Sequence, residues 1–267
     1  MFLEYVHPSN PTEFRLILLS LVGGLKNCVA FLSIIPVGMD DDGLLQAARY
    51  MAMFPAVGAV LGLIEGVAIW GISLVLSPLI AGMIGVGLIL LLTGAHHTDG
   101  LLDFGDGIMY HGAKKEKIRV MADPQTGTGG FCLGLIVLVT TGLGIAALNR
   151  SMIVPSMIAA EASAKFSMVL EAWAGKSAKK GLNTPFIQEM HGHRARLIGS
   201  LIILVLVLVI TLRQISPMIM IGDLLVPAVM LWVSSRHFGG VTGDVMGATN
   251  DLTRLVSLLL IVTTSWP

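Results

Sequence analysis

Eight apolar runs separated by polar stretches constrain this chain more than any other feature. They lie at Leu16–Ile35, Met53–Leu76, Leu79–Leu92, Phe131–Leu148, Met152–Leu170, Leu197–Leu212, Ile215–Val233 and Leu252–Thr264. Crossing the hydrocarbon core takes about 20 residues of helix, and several of these runs approach that length. Of the 267 residues, 54% are hydrophobic and 13% charged, against a charged share of roughly 25% in a soluble domain. The expected fold is therefore all-α: a polytopic integral membrane helical bundle of about seven spans, forming one domain over residues 1–267. The first run differs from the others. Gly23-Gly24 and Lys26-Asn27 interrupt it, so an N-terminal amphipathic or re-entrant helix is expected there instead of a span. The segment Met1 to Arg15 lacks the basic start of a cleaved signal peptide.

Loop lengths alternate. The stretches 36–50, 93–130, 171–196 and 234–251 are long and polar, whereas the turns at 77–78, 149–151 and 213–214 are very short. Consecutive spans alternate sides, so the long loops share one side. That side carries Lys114, Lys115, Lys117, Arg119, Lys176, Lys179, Lys180, Arg194, Arg196 and Arg236, and the short turns carry only Arg150 and Arg213. The positive-inside rule then predicts a multi-pass protein of the cytoplasmic (inner) membrane whose long loops, and whose active site, face the cytoplasm. The partners expected are the lipid bilayer and small molecules, with homo-oligomerisation left open. The formal net charge of zero offers no footprint for nucleic acid. Cys28 and Cys132 show no metal-ligand spacing and read as small packed apolar residues.

The longest loop holds the chemistry. Asp99, Asp103 and Asp106 are spaced i, i+4, i+7, which on a helix places three like charges on one face. No lysine or arginine is interleaved. A divalent cation bound to a phosphorylated substrate would offset the repulsion. A helix continuing past Leu92 would hold the carboxylates at the membrane edge, where each costs roughly 2.5–3.5 kcal/mol. Gly100, Gly105 and Gly107 would let backbone approach a bulky ligand. Further on, Asp123, Thr126, Gly127 and Gly130 form a turn entering the next apolar run, and such a turn presents backbone N–H groups to an anion. Read alone, the same turn is a helix N-cap with flexible glycines. Lys114, Lys115 and Arg119 lie between the two motifs. The last long loop brings Thr242, Gly243 and Asp244 just before an apolar run. His97, two residues from Asp99, could donate to a phosphate or act as general base. His191 and His193 read as solvated histidines. Gly58, Gly62 and Gly66, inside a span, read as helix-packing positions.

These motifs resemble the cobalamin synthase family, the adenosylcobinamide-GDP ribazoletransferases. His97-x-Asp99-Gly100-x-x-Asp103-x-x-Asp106-Gly107 is similar to the family's central motif, and Gly240-Val-Thr242-Gly243-Asp244-x-x-Gly247-Ala248 to its C-terminal signature. Met121-x-Asp123 with Gly127 and Gly130 follows the motif between them. Phe31-Leu-Ser-Ile-Ile-Pro36 and Phe54-Pro55-x-x-Gly58 match more loosely. Lys165 stands where the family has arginine, and Asp251 where glutamate is common. The resemblance implies that a hydroxyl of α-ribazole, or of its 5′-phosphate, attacks the cobinamide-side phosphate of adenosylcobinamide-GDP, with GMP leaving and Mg²⁺ as the ion. Attack on a pyrophosphate needs charge neutralisation and in-line positioning more than covalent chemistry. On this reading Asp99, Asp103 and Asp106 hold Mg²⁺, and Asp106 or His97 takes the proton. Asp123, Thr126, Gly127, Gly130, Thr242, Gly243 and Asp244 complete the substrate site, with Lys114, Lys115 or Arg119 near phosphate.

Three other classes use similar residues. A CDP-alcohol phosphotransferase runs the same chemistry, but its D-G-x-x-A-R pattern is absent: Asp99-Gly100 is followed by Leu-Leu-Asp. A UbiA-like prenyltransferase would release pyrophosphate. A cation or organic-anion transporter would place its carboxylates near the bilayer midplane on broken helices.

Overall fold

The computed structural model describes residues 11–265, so the expectation about the extreme N-terminus falls largely outside the described residues. Among the described residues the chain is almost entirely helical, and the only bridge pairing is a single parallel one between Ser177 and Val241. In chain order the helices are α1 (Pro11–Leu32), α2 (Gly43–Arg49), α3 (Phe54–Ser73), α4 (Pro78–Thr93), α5 (His96–Met109) and α6 (Lys114–Val120). They continue as α7 (Thr128–Ala147), α8 (Ile153–Ala174), α9 (Thr184–Met190), α10 (Arg194–Leu212), α11 (Ser216–His237) and α12 (Gly243–Ser265). Prolines set several starts: Pro55, Pro78, Pro185 and Pro217 occupy first-turn positions of α3, α4, α9 and α11, where the missing N–H costs nothing.

Five segments are long and apolar enough to cross a membrane, or six if α4 and α5 count as one bent span. This is a multi-pass membrane protein. The difference from the expected seven lies at residues 194–237, a helical stretch of 44 residues that is long enough to count as one segment. At 1.5 Å per residue that is about 66 Å, twice the roughly 30 Å of hydrocarbon. The stretch is broken at Arg213, whose φ is +50°. Beyond the break, Ser216 Oγ donates to the Leu208 carbonyl at 2.9 Å, two positions that a straight helix would hold about 12 Å apart. The segment is therefore two arms, α10 and α11, turning at the end opposite the long loops.

α8 and α12 are the interior helices, with 78% and 72% of their apolar windows buried. α8 packs closely on α3 through a glycine stripe, as expected. A Cβ at Gly58 would sit 2.4 Å from the Glu161 carbonyl oxygen, and one at Gly62 would sit 2.3 Å from that of Met157. One buried apolar cluster, including Phe54, Leu101, Phe186, Phe238 and Val245, lies at the long-loop end. A second, including Ile69, Met157, Leu208 and Ile261, fills the other. The outer faces of α7 and α10 expose Leu135, Ile136, Ile202, Leu206 and Ile210, as a lipid-facing surface does.

α1 is one continuous helix, and its apolar part, Leu18–Leu32, is shorter than a span. The residues that interrupt the apolar run are docking positions. Gly24 makes room for the Tyr50 ring, and Asn27 and Lys26 bond Asp40. Those two partners hold the Asp40 carboxyl below its usual range. Cys28 is buried against α2, which pushes its thiol up to about 12. Cys132, expected to be packed, instead lies exposed on the outer face of α7.

Gly62→Ala, with its new methyl group driven into backbone, is expected to destabilise the protein by about 1–3 kcal/mol. Thermal unfolding in detergent measures this, and an unchanged midpoint would contradict the α3–α8 packing.

Candidate functional site

The carboxylate helix does not continue α4. Gly94 and Ala95 both take left-handed φ, +63° and +57°, and α5 leaves at 101° to α4. A left-handed alanine costs roughly 1–2 kcal/mol, so surrounding contacts must hold this bend. Two sets of contacts do so.

The first is a buried polar chain beneath α5. Thr98 Oγ1 donates to Asp251 Oδ2 at 2.7 Å. Arg254 Nη1 donates to Asp251 Oδ1 at 2.5 Å, while its Nε and Nη2 donate to Glu161. Lys165 Nζ bonds Glu161 Oε2 at 3.1 Å and Asn250 Oδ1 at 2.8 Å, and Asn250 donates to Asp251. Glu161, Lys165, Asn250, Asp251 and Arg254 are at most 3% exposed. This chain joins α5, α8 and α12. Sequence reasoning missed it as a unit. Its signal was ionisable residues in or beside apolar runs at helical spacing: Glu161 with Lys165, and Asp251 with Arg254.

The second is close backbone packing. A Cβ at Gly100 would lie 2.9 Å from Asp244 backbone atoms, and one at Gly105 would lie 2.9 Å from Gly129 and Gly130 backbone atoms. Gly100 and Gly105 thus admit the N-termini of α12 and α7, and Gly100 also lines the cavity that Asp99 lines. Lys117 ends the helix: its buried ammonium bonds the carbonyls of Gly107, Ile108 and Tyr110, where a cation offsets the helix dipole.

The three aspartates therefore face different neighbours. Asp99 lines a cavity of ≈400 Å³ together with Asp244, His96, His97 and Gly243. Phe31, Phe54, Met168 and Phe186 form its apolar wall. Asp103, half-buried, lies within Coulombic reach of Asp244, Asp99 and Asp106. Asp106 is committed elsewhere. Its Oδ2 accepts the Gly127 N–H at 2.7 Å and its Oδ1 the Gly130 N–H at 2.8 Å. The anion that the Thr/Gly turn receives is the protein's own carboxylate. Gly127 and Gly130 are thus not free amides for substrate, and Asp106 fixes the α5–α7 junction.

Thr242 is buried and caps α12 by accepting the Val245 N–H. Asp123 accepts the Gln125 N–H and, with Thr126, lines a separate shallow cleft beside Asp106. Lys114, Lys115 and Arg119 do not line the carboxylate cavity. The ammonium within Coulombic reach of both Asp103 and Asp244 is Lys179, visible in the sequence only as one lysine of a loop. His97 is 6% exposed, and its Nδ1 has no hydrogen-bond partner among the described residues. His191 and His193 are exposed.

Among the described residues, no three His, Cys, Asp or Glu side chains converge closely enough to enclose a metal ion by themselves. Mg²⁺ typically takes one or two carboxylates and completes its shell with water and phosphate oxygens. Asp99 and Asp244 on one cavity, with Asp103 beside them, fit that donor set.

Residues 24–262 match the family described as cobalamin-5-phosphate synthase. The adenosylcobinamide-GDP ribazoletransferase of Methanocella arvoryzae is 31% identical, over 92% of this chain and 98% of its own length. Its namesake in Methanosarcina mazei is 33% identical over 90% and 91%, and that of Thermococcus kodakarensis 31% identical over 91% and 99%. No solved structure matches this chain.

Two outcomes test the architecture of the site. Arg254→Met leaves Asp251 buried without its cation and Glu161 with Lys165 alone, a loss of about 3–5 kcal/mol that appears as a collapse in folded yield from detergent. Asp106→Asn turns an amide NH₂ toward a backbone donor, costing about 1–3 kcal/mol. Faster hydrogen exchange at Gly127–Gly130 would register it, and unchanged protection would refute the junction.

Proposed function

The chain belongs to the cobalamin-5-phosphate synthase family, and we propose that it joins α-ribazole, or its 5′-phosphate, to adenosylcobinamide-GDP with release of GMP. One observation carries this reading: Asp99 and Asp244, from separate helices, meet on one cavity whose far wall is apolar. The paired carboxylates suit a pyrophosphate carried by a divalent cation. A cavity of ≈400 Å³ takes a drug-sized group, so it receives the pyrophosphate arm and leaves the macrocycle outside.

The acceptor's ribose hydroxyl attacks the cobinamide-side phosphorus. A P–O bond forms there, the P–O bond to GMP breaks, and the hydroxyl proton must be taken up. Asp99 and Asp244 would hold Mg²⁺ against the pyrophosphate, with Asp103 adding negative charge beside them. When bound, the ion neutralises charge on the phosphate oxygens and the leaving GMP. Asp106, expected as ligand or base, holds the α7 N-terminus instead. His97, which lines the same cavity, is therefore the better proton acceptor. Lys179 supplies positive charge beside Asp103 and Asp244. The lysine-rich loops at this end support an active site facing the cytoplasm of the inner membrane.

The test is purified protein in lipid nanodiscs, supplied with adenosylcobinamide-GDP, α-ribazole and Mg²⁺, with GMP and the joined corrinoid as readouts. Folded protein that makes neither product overturns the reading. Chelation of divalent ions should abolish turnover and added Mg²⁺ restore it. Asp99→Asn and Asp103→Asn should each lower kcat by at least about a hundredfold, and normal turnover by either would remove that residue from the site. His97→Gln should lower kcat by roughly 10²–10⁴, with little change in KM for either substrate.

A further inference from the structure

A second cleft lies at the other end of α5. Its volume is ≈720 Å³, and Tyr110, His111, Lys114, Lys117, Arg236 and His237 line it without a single carboxylate. Lys114, Lys117 and Arg236 all lie within Coulombic reach of His237, so like charges crowd one concave surface. Nothing acidic in the lining offsets them. The nearby Glu116 is occupied in capping the Ala113 amide at the start of α6. The Lys117 ammonium is buried among three carbonyls, but Lys114 and Arg236 are exposed side chains with donors to spare. Arg236 leans over the exposed Trp232 ring, 6.0 Å from its centroid, which places its guanidinium at the rim of the cleft.

Resting on the transferase reading above, we propose that this cleft binds the phosphate of the acceptor substrate, a ribonucleoside 5′-phosphate, through Lys114, Arg236 and His237. Transfer to a pyrophosphate needs two substrates side by side, and the carboxylate cavity has room for one. Acceptors that carry a dianionic phosphate are repelled by Asp99, Asp103 and Asp244, so that phosphate needs a basic subsite away from them. The cleft provides it at a compatible distance. From Asp99 on the carboxylate cavity to Tyr110 on the cleft is eleven residues, about 16 Å at 1.5 Å per residue, a span for a ribose, its phosphate and an extended arginine or lysine side chain. The family's description names a 5-phosphate, consistent with an acceptor that arrives phosphorylated. The same phosphate chemistry is found on anionic lipid headgroups, so the test must separate the two sources.

The experiment compares wild-type protein with the double variant Lys114→Gln/Arg236→Gln in nanodiscs of neutral lipid and of neutral plus anionic lipid. KM is measured for α-ribazole, α-ribazole 5′-phosphate and adenosylcobinamide-GDP. A KM for the phosphorylated acceptor raised at least tenfold, with the other two constants unchanged, supports the proposal, as does substantial rescue by Arg236→Lys. A rise confined to adenosylcobinamide-GDP assigns the cleft to the donor and overturns it. Loss of stimulation by anionic lipid with no change in acceptor discrimination assigns the cleft to lipid and likewise overturns it. If wild-type protein makes no product, the transferase reading fails separately. Equilibrium binding of α-ribazole 5′-phosphate then decides the cleft alone: retained by wild type and lost in the folded variant, it stands, and any other pattern overturns it.

Discussion

A guanidinium inside a membrane protein must be satisfied from every side, and Arg254 is satisfied by carboxylates from two helices. Glu161 of α8 and Asp251 of α12 share its donors. Asp251 then passes the constraint to Thr98 on α5. Intramembrane charges are expensive and persist where they position something. Here they position the turn that carries His97 and Asp99. The left-handed bend before α5 is unfavourable in isolation, and this buried chain is one of the features that hold it.

The evenly spaced carboxylates on one helix face have separate duties because their neighbours differ. Asp99 meets Asp244 across a cavity, while Asp106 receives two backbone amides from the start of α7. The glycines between them decide which neighbour comes close: Gly100 admits the α12 backbone, and Gly105 admits that of α7. Periodicity on a helix puts side chains on a common face. It does not say what the face will meet.

This explains how much was legible beforehand. The membrane class, the polarity of the loops, the packing role of Gly58 and Gly62, and the convergence of the 99–106 and 242–244 segments follow from hydropathy and local spacing. The long-range partners do not. Thr98 and Asp251 are 153 residues apart, and Glu161 and Arg254 are 93 apart, so no local pattern pairs them. Lys117 looked like one member of a surface charge run and is a buried helix cap. Gly127 and Gly130 looked like an anion cradle and already hold one, supplied by the chain itself. The fold-back at Arg213 was legible too, because a short polar break at 213–214 separates two apolar runs there.

α4 has only 16 residues, about 24 Å of helix at 1.5 Å per residue, against a hydrocarbon thickness of about 30 Å. It stops short, and α5 turns sideways from that point. The length of one short helix therefore helps to set the height of the chemistry above the far end of the bundle. Bilayer thickness thereby becomes a variable of the active site. In a thin membrane α5 lies at the water boundary. In a thicker one the lipid must compress, or the carboxylate helix sinks toward the acyl chains, at a cost of fractions of a kcal/mol for each ångström of mismatch.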